Sequence, residues 1–200
     1  MVLREKMERQ GRWLFRWRSY WPLSILPFLA LALRNSEYLE RFFGVFYDNI
    51  WELVCVGISL IGVMTRCFVA GFVPRGTSGR NTKEQAADTL NIQGMYSIVS
   101  HPLYLGNFTI VLGMLLFVQV GWFAVAGIFI FWIYYERIIF AEEEFLRRKF
   151  GDVFLTWARE VPAFFPNPGC WKSPMLSFSF KTVLRREFST FFAVIFFLLF

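Results

Sequence analysis

Apolar residues come in long blocks along this chain, broken by short polar stretches. Trp21 to Leu33 ("WPLSILPFLALAL") is apolar but short and carries two prolines. Trp51 to Val73 is longer, with Arg66 embedded near its far end. Leu103 to Val118 and Trp122 to Tyr135 are separated only by "QVG", which predicts a tight hairpin of two helices. A last block, "FSTFFAVIFFLLF", runs from Phe188 to Phe200. It is about half of the roughly 20 residues that a perpendicular span requires. Either it lies partly in the interface or the chain continues beyond it.

Composition turns these blocks into membrane segments. The chain of 200 residues is 56% hydrophobic and 20% aromatic, and only 18% charged. Soluble domains hold roughly 45–50% apolar residues, so the excess requires an apolar solvent around the protein. The expected fold is an all-α integral membrane protein with four to five transmembrane helices, forming one domain over 1–200. The net charge of +6 does not indicate nucleic acid. The basic residues flank apolar blocks instead of forming a separate face, so lipid headgroups are their expected partners. Three cysteines show neither metal-ligand spacing nor a disulfide framework. The basic N-terminus is read as uncleaved, because no small-residue cleavage site follows the first apolar run.

Charge also sets the expected orientation. Arg4, Lys6, Arg9, Arg12, Arg16 and Arg18 precede the first apolar block. Arg75, Arg80 and Lys83 occupy the 74–100 loop, and 136–187 is rich in Arg and Lys. The stretch 34–50 and the "QVG" turn have no such excess. The N-terminus and both polar regions that bear motifs are therefore expected on the cytoplasmic side. The 74–100 loop is long, polar and Gly-containing, as binding loops are. It holds no Gly-rich phosphate-binding motif, which argues against a soluble-type nucleotide domain.

Candidate chemistry begins at "YSIVSHPLYLGNF", Tyr96 to Phe108, which contains the only histidine. Proline suits the first position of a helix, where its missing N–H was unpaired in any case. Pro102 there makes His101 the cap of the third span, with the helix N-terminus facing the polar loop and suited to an anion. The alternative is an interfacial histidine that only caps the helix. A second candidate is "YYERIIFAEEEFLRRKFG". Helix periodicity puts Glu143 on a face with Ile139, Leu146 and Phe150, and Glu142 on the apolar side. Glu144 falls beside Arg147 and Arg148 and reads as solvated. Carboxylates directed into a membrane protein are costly unless paired or functional. They either pair internally with Arg66 or Arg137, or hold a polar or cationic ligand at the membrane edge.

"GMYSIVSHPLYLGNF", followed about forty residues later by "EEEFLRRKFGDVFLTWAREVPAFFP", resembles the isoprenylcysteine carboxyl methyltransferase and phospholipid methyltransferase superfamily. The pattern is G-x-Y, R-H-P-x-Y-x-G, E-E-x-x-L-x-x-x-F-G, two aromatics, then V-P-x-x-x-P. The match covers about 88–166 in the right order, with the intervening hairpin. The resemblance implies a small multi-span enzyme that uses S-adenosyl-L-methionine at the cytosolic face to methylate a lipid-embedded acceptor. It implies a cofactor site formed by the 74–100 loop, the third-span N-terminus and the helix after the hairpin. Leu90, Asn91 and Tyr96 would line that pocket, His101, Pro102, Leu103 and Tyr104 would form its wall, and Glu142 or Glu143 would meet the cofactor. Gly106 would allow close approach, and Arg137 would hold the acceptor. The resemblance assigns no catalytic acid or base and no metal.

The chain departs from that pattern at several places. Ser100 stands where the superfamily has arginine before His-Pro. Ile138 takes the place of an arginine one turn before the glutamates, and Arg137 precedes it, about 100° around the helix. Phe154 and Trp157 replace two tyrosines. Prenylcysteine carboxylate, lipid phosphate and phospholipid headgroup all suit a membrane-edge site. The rival readings are an NADPH-dependent membrane reductase of related fold and an inactive membrane scaffold.

Overall fold

The computed structural model describes residues 2–18, 26–33, 44–72 and 87–199. Seven α-helices lie among them: α1 (Leu3–Trp17), α2 (Leu26–Leu33), α3 (Val45–Phe72), α4 (Pro102–Phe117), α5 (Gly121–Phe150), α6 (Asp152–Glu160) and α7 (Phe180–Leu199). Single 3-10 turns lie at Gly94–Ser97 and Pro168–Cys170. No β-strand occurs among the described residues, as the block pattern predicts. Two helices are long and apolar enough to cross a membrane, α3 with 28 residues and α5 with 30. The apolar α4 is shorter at 16 residues. Of the block expected as the first span, 21–25 lies outside the described residues, as do residues 74–86 of the 74–100 loop with Arg75, Arg80 and Lys83.

The expected hairpin forms. Pro102 opens α4 and His101 caps it, the His101 carbonyl accepting from the Tyr104 and Leu105 amides at 3.1 and 3.0 Å. The turn between α4 and α5 passes through Gln119 at φ +60°, and the Gln119 side-chain NH₂ donates to the Asp48 carboxylate at the start of α3. At the other end of α5, Gly151 (φ +55°) turns the chain directly into α6. The positive φ is readily adopted there because glycine has no Cβ.

Small residues decide how closely the helices approach. A Cβ built on Gly106 of α4 would lie 2.7 Å from Cγ of Arg66 on α3. The same contact is tied by the Ser59 hydroxyl, which donates to the Ile110 carbonyl at 3.2 Å. Close backbone approach of this kind is how helices associate where the solvent is itself apolar. α1 runs against the second half of α5 in the opposite direction. A Cβ on Gly11 would fall 2.0 Å from the Arg137 carbonyl oxygen, and the Tyr134 hydroxyl donates to the Leu14 carbonyl at 3.2 Å. Phe15, Tyr134 and Ile138 form the apolar cluster at that crossing.

This crossing overturns the reading of Glu144 as solvated. The residue is buried, 9% exposed, and Arg4 of α1 donates to it while Arg147 lies 3.7 Å away. That bond keeps the Arg4 guanidinium charged to even higher pH than usual. Periodicity within α5 could not reveal a second helix arriving with its own cations. The last helix also differs from its hydropathy block. It starts at Phe180, where the Ser179 hydroxyl accepts from Thr182, so charged residues before Phe188 are helical too.

Candidate functional site

The approach to α4 is fixed by the segment that follows α6. The Gly94 amide donates to the Lys172 carbonyl at 2.8 Å, and the Lys172 amide donates to the Ser97 hydroxyl at 2.8 Å. The Ser100 amide donates to the Pro162 carbonyl at 2.9 Å, and the Ser100 hydroxyl donates to the Val161 carbonyl at 3.1 Å. Ser100 is buried, 7% exposed. At this position the side chain closes a backbone junction between α4 and the chain leaving α6.

Immediately beyond it, both halves of the sequence motif meet. His101 Nε2 lies 2.9 Å from Glu143 Oε1, and the Tyr104 hydroxyl donates to Glu142 Oε2 at 2.6 Å. The His101 and Tyr104 rings stack, with centroids 5.8 Å apart and planes inclined by 24°. His101 is buried, whereas the Glu143 side chain is 43% exposed, so the pair runs from the interior to the rim. A carboxylate only accepts, so the His101–Glu143 bond places the proton on Nε2. That nitrogen is then a donor and is not available as a base.

Leu90, Asn91 and Tyr96 line a separate cavity of about 420 Å³. Phe68 and Phe72 of α3 form one side of it and Met175 another. Neither His101 nor the two glutamates line it. Tyr96 also packs away from the cavity. Its carbonyl accepts from the Trp157 indole at 3.0 Å, and it packs in the cluster of Phe154, Trp157 and Val161 together with Leu146 and Phe150 of α5. Those last two residues follow Glu142 and Glu143 by one to two helical turns. Phe154 and Trp157 thus hold the 90–96 segment by ring packing and one indole donor.

The remaining candidates lie elsewhere. Pro102 is fully buried and Leu103 half-buried at the start of α4. The face of Gly106 is filled by Arg66 and the Gly62 carbonyl of α3. Arg137 pairs with Glu136 at 3.5 Å, and its backbone meets α1 at Gly11. Arg66 does not pair with the α5 glutamates. Arg66 Nε donates to Glu187 at 2.7 Å, and Nη1 donates to Asn107, whose own amide donates to the Tyr135 hydroxyl at 2.9 Å. Arg66 was conspicuous in its apolar block, but nothing local marked Glu187, so far along the chain, as its partner.

The sequence model of phospholipid methyltransferases matches residues 51–153, which is just over half of the chain. The chain belongs to this family. The phospholipid methyltransferase match spans most of α3, the α4–α5 hairpin and the start of α6, so it contains His101, Tyr104, Glu142 and Glu143. With the two long apolar helices, membership makes this a membrane protein of a methyltransferase family. The chain is also 30% identical over 132 residues to the nickel-cobalt-cadmium resistance protein NccN of Alcaligenes xylosoxydans xylosoxydans, covering 64% of this chain and 57% of that relative. It therefore spans less than two thirds of that relative's length. No solved structure matches.

Proposed function

We propose that this phospholipid methyltransferase family member transfers a methyl group from S-adenosyl-L-methionine to a lipid-embedded acceptor at the cytosolic membrane face. The acceptor class is a prenylcysteine carboxylate, a lipid phosphate or a phospholipid headgroup. The observation that carries the reading is the meeting of His101 with Glu143 and of Tyr104 with Glu142 across the hairpin. It joins the two parts of the motif that lie about forty residues apart in sequence.

The residues present fit the cofactor's chemistry. Its ammonium and ribose hydroxyls need acceptors, which Glu142 and Glu143 supply. Its carboxylate suits the N-terminus of α4, where the Leu103 amide meets no acceptor among the described residues. The separate cavity of about 420 Å³ at Leu90, Asn91 and Tyr96, which neither glutamate lines, falls within the usual size range of small-molecule sites. When bound, the cofactor supplies an electrophilic methyl on a sulfonium. The chain's part is then to orient the two reactants and exclude water. Tyr104 orients Glu142, the buried His101 fixes Glu143, and no side chain is assigned as a general base.

Binding tests the reading. Purified protein warmed with S-adenosylhomocysteine is expected to gain melting temperature, as a ligand of the folded state requires. A gain with NADPH and none with S-adenosylhomocysteine would favour the reductase, and a gain with neither the inactive scaffold.

A further inference from the structure

Among the described residues two glutamates are buried, Glu144 and Glu187. Arg4 and Arg147 account for Glu144 at the contact of α1 with α5. Glu187 is 3% exposed and stands on α7, beyond the end of the family match at residue 153. Arg66 meets it with two prongs, Nε to Oε2 at 2.7 Å and Nη2 to Oε1 at 3.1 Å, and the Thr190 hydroxyl donates to Oε2 at 2.9 Å. An ionised pair among apolar helices is an expensive way to join them, since apolar side chains of similar volume serve a purely structural contact as well or better.

The pair continues in one direction. Arg66 Nη1 donates to the Asn107 oxygen. Because a guanidinium only donates, Asn107 must turn its oxygen to Arg66 and its NH₂ to Tyr135. The Asn107 NH₂ donates to the Tyr135 hydroxyl at 2.9 Å, and the Tyr135 ring lies 5.1 Å from that of Tyr104. Tyr104 is the residue that donates to Glu142. A polar path thus runs from α7 through α3 and α4 to Tyr135 on α5, and the ring contact of Tyr135 with Tyr104 carries it on to the carboxylate cluster.

We propose that Glu187 is a positioning residue for that cluster. It holds the guanidinium of Arg66 in the orientation that sets the Asn107 amide. That amide fixes Tyr135, and the Tyr135 ring fixes the plane from which Tyr104 reaches Glu142. The C-terminal helix is in this way part of the site and not only a neighbour of it. The functional consequence rests on the methyl-transfer reading; the positional one does not.

The test uses full-length protein carrying 3-fluorotyrosine, with the Tyr104 ¹⁹F resonance assigned by Tyr104→Phe. Glu187→Gln removes the charge and leaves an acceptor, and Arg66→Met with Glu187→Leu removes both charges without leaving one buried alone. Val194→Ala loosens the apolar seat of α7 against Val63 and Ile110 without touching the polar path. Both Glu187 variants are expected to move the Tyr104 resonance, and Val194→Ala is expected to leave it in place. Affinity for S-adenosylhomocysteine is expected to fall roughly tenfold in Glu187→Gln and in Tyr135→Phe, with no further fall when they are combined, as for residues of one network. An unmoved Tyr104 resonance in the folded Arg66→Met/Glu187→Leu protein would overturn the proposal, and so would independent, multiplying losses of affinity. If the unsubstituted protein does not bind S-adenosylhomocysteine, the methyl-transfer reading fails, and the ¹⁹F comparison still decides the role of Glu187.

Discussion

The Tyr104 hydroxyl donates to Glu142 at 2.6 Å, linking the first turn of α4 to the second half of α5. His101, three residues before Tyr104, and Glu143, one residue after Glu142, make a second link at 2.9 Å. The two contacts, three residues apart at the start of α4 and on adjacent residues of α5, set the register between the helices at the motif end of the hairpin. Tyr104→Phe keeps the ring packing against Tyr135 and removes only the donor. The account expects affinity for S-adenosylhomocysteine to fall roughly tenfold, in line with the loss of a hydrogen bond to a charged group. Titration calorimetry checks it, and an unchanged affinity would separate the Tyr104–Glu142 contact from cofactor binding.

Ser100 provides a sharper case, because its position holds arginine in the superfamily pattern. Its hydroxyl is committed to the Val161 carbonyl in a buried junction. Ser100→Arg would break that contact and bring a guanidinium into a site with backbone carbonyls and apolar neighbours. Destabilisation on the order of 3 kcal/mol is expected, with no gain in cofactor affinity. Thermal unfolding in detergent and S-adenosylhomocysteine titration measure the two effects. Tighter binding at unchanged stability would mean that the junction has room for the arginine.

Gly11 tests the seat of α1. A side chain there collides with the Arg137 carbonyl and with Cβ of Ala141. Gly11→Leu is expected to lift α1 from α5, exposing Glu144 and costing about 1–3 kcal/mol, as overpacking does. Hydrogen exchange checks this: amides of α1 should lose protection in the variant, while those of α4 keep theirs. Equal protection in both proteins would contradict the close crossing.

Much of this was legible in the sequence, and the reasons are local. Pro102 marks the start of α4 because a helix tolerates proline there, and "QVG" leaves no room for anything but a hairpin between two apolar runs. Neighbours on one helix point Glu142 and Glu143 inward, and of the two Glu142 meets Tyr104 while the Glu143 side chain stays 43% exposed at the rim. What failed or stayed hidden depends on a second element. Glu144 reads as solvated from α5 alone, and only the arrival of α1 with Arg4 buries it. Arg66 is visible as a charge in an apolar block, but its partner Glu187 lies on a helix whose hydropathy begins at Phe188. The division of the expected cofactor residues between the cavity at Leu90, Asn91 and Tyr96 and the cluster at His101 is likewise a matter of packing. No spacing in the chain encodes it.

Labelled S-adenosyl-L-methionine reads methyl transfer to the acceptor itself. Membranes containing the protein are incubated with the labelled cofactor, and incorporation into the lipid and prenylated-peptide fractions is compared with membranes lacking it. The account predicts incorporation with the unsubstituted protein, reduced about a hundredfold or more by Glu142→Ala, since positioning of the reactants supplies most of the rate. Absence of incorporation into either fraction, from a folded protein that binds the cofactor, would contradict it.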